Sequence, residues 1–310
     1  MLARVADSLY WIGRYVERTE HCARYLNVQY YSTLEAPMSQ NKDFNLRSIM
    51  FMAGSEFTFE TDLVEKDVWQ KVIFDGNNPD SIIGIAKSAR ENARSIRNNI
   101  SAELWESINR YYLFCNSIRE SKFNYGKIFS FTEDININMA LIKSNIHNTL
   151  LHDDPWSFIC LGIYVERSLQ VLRIFKSKIS DSIILSDNGA NQSLLQYQWI
   201  TLLKCLEAFD IHKNYYKGFL SLKSISELIL SNAAFPRSLK YSTLKLLNTL
   251  SRISVKPEGY SAMYERIESK ITERLNFDKF SEEESVLTFI TEMYADISVF
   301  HSEINNLYFR

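Results

Sequence analysis

The sequence predicts an all-α fold, a single large helical bundle of about ten to twelve helices. Three observations carry that prediction. Apolar residues recur every three or four positions along most of the chain. No segment alternates apolar and polar residues for long enough to demand a strand. Only 9 glycines and 5 prolines occur in 310 residues, well below average usage, so turns are few and elements long.

The elements follow in order. Val5, Leu9, Ile12, Val16, Ala23, Leu26 and Tyr30 form one apolar stripe of about eight turns. Residues 33–45 lose the pattern, contain Pro37 and read as a loop, followed by short helices near 46–53 and 60–74. Asn78-Pro79-Asp80 opens the next helix, a polar cap with proline at the first helical position. Its stripe is Ile82, Ala86, Ala89, Ala93, Ile96 and Ile100. Helix continues over 102–119, breaks near Gly126 and resumes over 133–150. Asp154-Pro155 opens a helix by the same logic, with the stripe Phe158, Leu161, Val165, Leu172 and Phe175. Ser186-Asp187-Asn188-Gly189 is a turn. Helical patterns then occupy 192–216, 224–231, 236–253, 258–275 and 282–307, with Ser224-x-x-Glu227 and Ser281-x-x-Glu284 fitting capping boxes.

One phrase occurs twice. Residues 12–18 read Ile-Gly-Arg-Tyr-Val-Glu-Arg, and residues 161–167 read Leu-Gly-Ile-Tyr-Val-Glu-Arg. Glu17, Arg18 and Arg24 recur as Glu166, Arg167 and Arg173 at one constant offset. A single domain, 1–310, with a possible internal repeat of 1–152 and 153–310 is therefore expected, with no Gly/Ser/Pro linker between the halves. The copies are not equivalent, because Arg14 in the first becomes Ile163 in the second.

The first helix carries a second stripe opposite its apolar one: Asp7, Tyr10, Arg14, Glu17, His21 and Arg24. Its flank holds Trp11, Tyr15, Arg18, Cys22 and Tyr25, and no lysine. Such a helix is buried around most of its circumference, and its charges must be paired. Arg90, Arg94 and Arg97, spaced i, i+4 and i+7 beside an alanine-rich stripe, are the expected partners of Glu17 and Glu166. Two readings stay open. In one, the charges form a structural network that fixes helix packing. In the other, Tyr10, Arg14, Arg18, Arg90, Arg94 and Arg97, with Arg237 at the head of a later helix, bind a ligand's anionic groups. Glu17 or Glu166 would then orient the arginines, bind an amine or act as a general base.

Several classes of function are set aside. A net charge of −2 advertises no nucleic-acid surface. Cys22, Cys115, Cys160 and Cys205 are widely spaced, form no Cys-x-x-Cys and read as reduced, structural thiols. Arg4, Asp7 and Arg14 rule out a signal peptide at the start, and no apolar run is long enough to span a bilayer, so a cytoplasmic protein without a membrane partner is expected. His21, His147, His152, His212 and His301 form neither His-x-x-x-His nor Glu-x-x-His, so no metal or cofactor is expected. Phosphate-cradling glycine loops and a Gly-x-Ser-x-Gly elbow are absent.

The opening Met1-to-Arg18 segment, with its Tyr-Trp-Ile-Gly-Arg-Tyr-Val-Glu-Arg ending, resembles the start of the bacterial alpha-E family. So do Ala89-Arg90-Glu91-Asn92-Ala93-Arg94-Ser95-Ile96-Arg97, the stretch Glu103–Asn109, the second Tyr164-Val165-Glu166-Arg167, and Phe235-Pro236-Arg237-Ser238. One departure stands out: Ser168-Leu169 replaces the Ala-Asp that usually follows the second Glu-Arg, which removes an acid at 169. The resemblance implies an all-helical cytosolic protein, encoded or fused with ATP-grasp amide ligases and transglutaminase-like proteins and assisting amide- or peptide-bond formation. On this reading the chain is an accessory protein that presents a buried Arg/Glu pocket to an anionic or peptide-like ligand or to the ligase. The alternatives are an enzyme that forms or hydrolyses amide bonds with Glu17 or Glu166 as general base, and a purely structural interaction module.

Overall fold

The computed structural model describes residues 1–35, 42–54, 63–118, 123, 125–187, 189–190, 192–275 and 282–310. Regular structure among them is helical throughout, as expected: thirteen α-helices with short 3-10 and π turns. The chain divides into two units, Met1–Ile163 and Tyr164–Arg310. The first holds α1 (Ala3–Glu35), α2 (Lys42–Met52), α3 (Glu65–Trp69), α4 (Ile82–Ser95), α5 (Ala102–Ser117) and α6 (Ile128–Asn148). The boundary falls inside α7 (Asp154–Asp187). The second unit continues with α8 (Gln192–Cys205), α9 (Phe209–Tyr215), α10 (Leu222–Ser226), α11 (Leu239–Arg252), α12 (Tyr260–Leu275) and α13 (Glu283–Tyr308).

Helix starts are set by serines. Ser81, Ser101, Ser221 and Ser238 each accept a backbone N–H from the third residue on, capping α4, α5, α10 and α11, each cap stabilising its helix by about 1 kcal/mol. This corrects two expectations. Asn78-Pro79-Asp80 is not the first turn of α4 but the turn before it, closed by Asp80 N–H donating to Asn78 Oδ1 at 3.0 Å. The capping box near 224 lies one turn earlier, between Ser221 and Ser224. The pattern over 192–216 is also broken, because Glu207 takes a left-handed φ of 53° and ends α8. Helix α1 runs past the expected loop start to Glu35. Pro37, Asn188 and Ser281 lie outside the described residues.

In the first unit α1 packs against α2, α4 and α6, and α5 packs against α4 and α6. Where α1 meets α7 both chains present glycine. A Cβ on Gly13 would stand 2.0 Å from the Ile159 carbonyl oxygen, and a Cβ on Gly162 would stand 2.0 Å from the Tyr10 carbonyl oxygen. The doubled phrase therefore marks a reciprocal, backbone-on-backbone crossing, closer than side chains of any size permit.

From its five-residue helix onward the second unit repeats the first in element order. A five-residue helix, a five-residue π turn, a capped turn and a 14-residue helix occupy 65–95 and return over 222–252. Pro79 and Ser81 return as Pro236 and Ser238. Ser81 Oγ donates to the Asp75 carbonyl and Ser238 Oγ to the Asn232 carbonyl, the same bond in both units. The 16-residue α5 is matched by the 16-residue α12.

His212 anchors the turn between α9 and α10. Its Nε2 lies 2.9 Å from Ser224 Oγ and its ring stacks on Tyr216 at 4.8 Å. Burial pushes its pKa below the ordinary 6.5. The unfolded chain therefore takes up this proton first as pH falls, so the contribution to stability is complete above about pH 6.5 and is lost as pH falls through the folded value. Urea midpoints at about pH 7.5 and about pH 5.5 are expected to show a drop in the wild type that His212→Gln reduces. Equal slopes in the two proteins would refute this role.

Candidate functional site

Helix α1 is buried around most of its circumference, as its residues predict. Tyr10, Glu17 and His21 are 0% exposed, and Arg14 and Arg24 are 5% exposed. Glu17 Oε2 accepts from Lys143 Nζ on α6 at 2.5 Å, and His21 Nε2 lies 3.3 Å from Glu17 Oε1. Lys143 also bridges to Glu20, which pairs with Arg24 at 2.7 Å. Arg14 Nη1 lies 3.4 Å from Tyr10 Oη, and its guanidinium sits 5.0 Å from the Trp11 ring. The second copy is built differently. Glu166, 1% exposed, accepts from Gln170 Nε2 at 2.8 Å, where Gln170 stands at the position of His21. The buried Leu169 takes the place of Glu20.

The two repeated arginines have parallel roles within their own units. Arg18 donates to Asp80 at 2.5 Å, and Arg167 donates to the Pro236 carbonyl at 3.1 Å. Asp80 and Pro236 both lie in the turn just before the capping serine of α4 or α11. Each Glu-Arg arginine thus clamps the turn that leads into α4 or α11. Arg237 pairs with Glu207 at 2.6 Å.

The arginines of α4 do not meet Glu17, contrary to the expected pairing. Helix α4 turns its alanine stripe to α1, so Arg90, Arg94 and Arg97 point outward, beside α5. Arg90 donates to Asn109 Oδ1 at 2.8 Å and to Glu91 at 2.7 Å. Its guanidinium lies 4.8 Å from the Tyr112 ring and 6.0 Å from Trp105. Arg97, in the 3-10 turn after α4, lies 5.4 Å from the same Trp105 ring. Arg94, its side chain 64% exposed, shares Glu91 at 3.3 Å. Among the described residues Arg97 has no ion pair, and it is exposed. The result is an aromatic-backed guanidinium face.

The second unit builds the matching α11–α12 corner without these groups. Leu247, Ser251 and Ser254 stand where Arg90, Arg94 and Arg97 stand, and Met263 stands for Trp105. Only these matching positions lack arginine: Arg252 ends α11, and Lys256 lies 4.3 Å from the Tyr260 ring.

The sequence thus located Tyr10, Arg14, Glu17 and Arg18 on one buried helix and Arg90, Arg94 and Arg97 on one face, but not the join between them. It missed Lys143, Asn109, Trp105 and Tyr112. Lys143 sits on an ordinary amphipathic helix, and only its place opposite Glu17 singles it out. Among the described residues no group of three His, Cys, Asp or Glu side chains is placed to hold a metal, and no helix is long and apolar enough to cross a membrane. All four cysteines are buried thiols outside any disulfide, and burial pushes the Cys115 thiol up to about 12.

Residues 1–309 match the Alpha-E family, described as a predicted alpha-helical domain with a conserved ER motif. Both copies of the doubled phrase end in that dipeptide. Uncharacterised proteins of Mycobacterium bovis and of two strains of Mycobacterium tuberculosis are each 22% identical to the chain over 263 residues. The match covers 78% of this chain and 29% of each relative, so the chain spans under a third of their length. No solved structure matches the chain.

Proposed function

Because the chain belongs to the Alpha-E family, which is described by its helices and its Glu-Arg motif rather than by a reaction, we propose a binding role for it. The chain is a non-catalytic accessory module of a cytoplasmic ATP-grasp amide- or peptide-ligase system, with a transglutaminase-like protein as a further partner. It holds an anionic group of the ligand or of the ligase on the arginines of α4. One observation carries this reading: Arg94 and Arg97 stand exposed beside Arg90 on an aromatic-backed face, and the matching positions of the second unit, Leu247, Ser251 and Ser254, hold no charge. The residue landmarks shared with the alpha-E family support the ligase context, and relatives three times as long support a module that works beside other sequence.

The enzymatic alternative draws no support from the glutamates. A general base must reach its substrate and be free to take a proton. Glu17 is 0% exposed and held by the Lys143 ammonium, while Glu166 is 1% exposed.

The test is reconstitution with an ATP-grasp ligase of the same organism. ATP-dependent amide product is expected to rise when the chain is added. The rise is expected to fall about tenfold with Arg94→Ala/Arg97→Ala, the effect of losing ~1.4 kcal/mol of binding. Product formation indifferent to the chain would overturn the proposal.

A further inference from the structure

Resting on that accessory reading, we infer that the α4–α5 face binds an extended peptide bearing carboxylates at alternate positions, anchored by Arg97 on the Trp105 platform. Three features of the face specify this ligand class. The first is orientation. Arg97 and Arg90 lie over one indole, at 5.4 and 6.0 Å. A guanidinium near an aromatic face keeps its five N–H groups in a planar fork, which matches a carboxylate through two parallel hydrogen bonds. Arg97 brings that fork to solvent with no acid of its own among the described residues.

The second is spacing. Arg90 and Arg94 are one helical turn apart, about 6 Å of rise, and Arg97 follows within the next turn. Side chains on one face of an extended chain repeat about every 6.7 Å. Successive acidic residues at i and i+2 therefore match successive guanidiniums. A single tetrahedral phosphate bridges at most two of these arginines, as Glu91 does, and leaves the third unused.

The third is an internal occupant. Glu91 contacts Arg90 at 2.7 Å and Arg94 at 3.3 Å, one oxygen to each. It already shows that a carboxylate bridges two of these guanidiniums, and its side chain is 49% exposed, so it is displaceable. Arg90 is also fixed by Asn109 and Tyr112 and is a positioning residue. Arg94 and Arg97 make the new contacts. Trp105, itself part-exposed, offers the apolar surface on which the peptide's backbone and methylenes lie.

Calorimetric titration of the full chain at low salt tests this, with tetraglutamate, tetralysine and inorganic phosphate as probes. Tetraglutamate is expected to bind, tetralysine not, and phosphate at least about tenfold more weakly than tetraglutamate. Arg97→Ala is expected to weaken tetraglutamate about tenfold, and Arg97→Lys to restore only part of it, since lysine lacks the planar fork. Glu91→Gln is expected to strengthen binding up to about fivefold by removing the competitor. Arg97 is exposed, so its variants keep the wild-type melting temperature. Failure of tetraglutamate to bind, an Arg97→Ala affinity equal to wild type, or phosphate binding as tightly as tetraglutamate would each overturn the inference. The ligase assay separates the two levels. If the chain stimulates the ligase but ignores tetraglutamate, this inference falls and the accessory reading stands. If it binds tetraglutamate through Arg97 but leaves the ligase unaffected, the accessory reading falls and the site stands.

Discussion

Gly13→Ala is expected to lower stability by at least about 3 kcal/mol, and Gly162→Ala by a similar amount. In an ordinary helix the change from glycine to alanine is favourable by about 0.5–1 kcal/mol, because alanine loses less backbone entropy. Here the sign reverses. The added Cβ would stand 2.0 Å from a carbonyl oxygen of the facing helix, and the obstacle is backbone, which has no alternative rotamer. Relief requires α1 and α7 to separate, and both are long helices buried on most sides. The double variant should cost less than the sum of the two singles, because one separation accommodates both methyls. Gly76, where a Cβ meets nothing closer than 4.0 Å, is the control and should change little. Thermal or urea unfolding of the four proteins decides it, and a neutral Gly13→Ala would refute the close crossing.

Lys143→Met is expected to cost about 3 kcal/mol near neutral pH, the usual penalty for stripping a countercharge from a buried ion. The ammonium lies 2.5 Å from the sealed Glu17 carboxylate and also contacts Glu20. Without it two carboxylates one turn apart face each other on α1 beside apolar packing. Combining Lys143→Met with Glu17→Gln should recover part of the loss, a coupling of about 2 kcal/mol in a double-mutant cycle. Strict additivity would show that the pair contributes nothing. The cycle also bears on function: a stable Glu17→Gln protein that still supports the ligase would confirm that this glutamate holds helices rather than protons.

The arginines of α4 show how far a helical pattern reaches. The spacing i, i+4, i+7 places Arg90, Arg94 and Arg97 on one side of a helix, and the structure agrees. It does not say whether that side faces a neighbour or the solvent. The alanine stripe of the same helix answers that question, because α1 takes the small residues and leaves the arginines outside. The same limit hid how far the repeat extends beyond the doubled phrase. Only Lys66, Pro79 and Ser81 persist between 65–95 and 222–252, since a buried helical position asks only for an apolar side chain of suitable size. The two segments nevertheless share every element boundary.

By itself the sequence determined the helices, their buried stripes, the burial of charge on α1 and the doubled Glu-Arg phrase. All of these depend on residues within a few turns of one another, where helix geometry fixes which side chains share a face. Only the tertiary structure decided that Gly13 packs on the Ile159 backbone and Gly162 on the Tyr10 backbone, that Lys143 rather than Arg94 serves Glu17, and that Trp105 underlies Arg97. Those pairings join residues distant in sequence, and distance in the chain leaves no local period to read. They are selected by which surfaces pack against α1, a choice made by the whole apolar core at once.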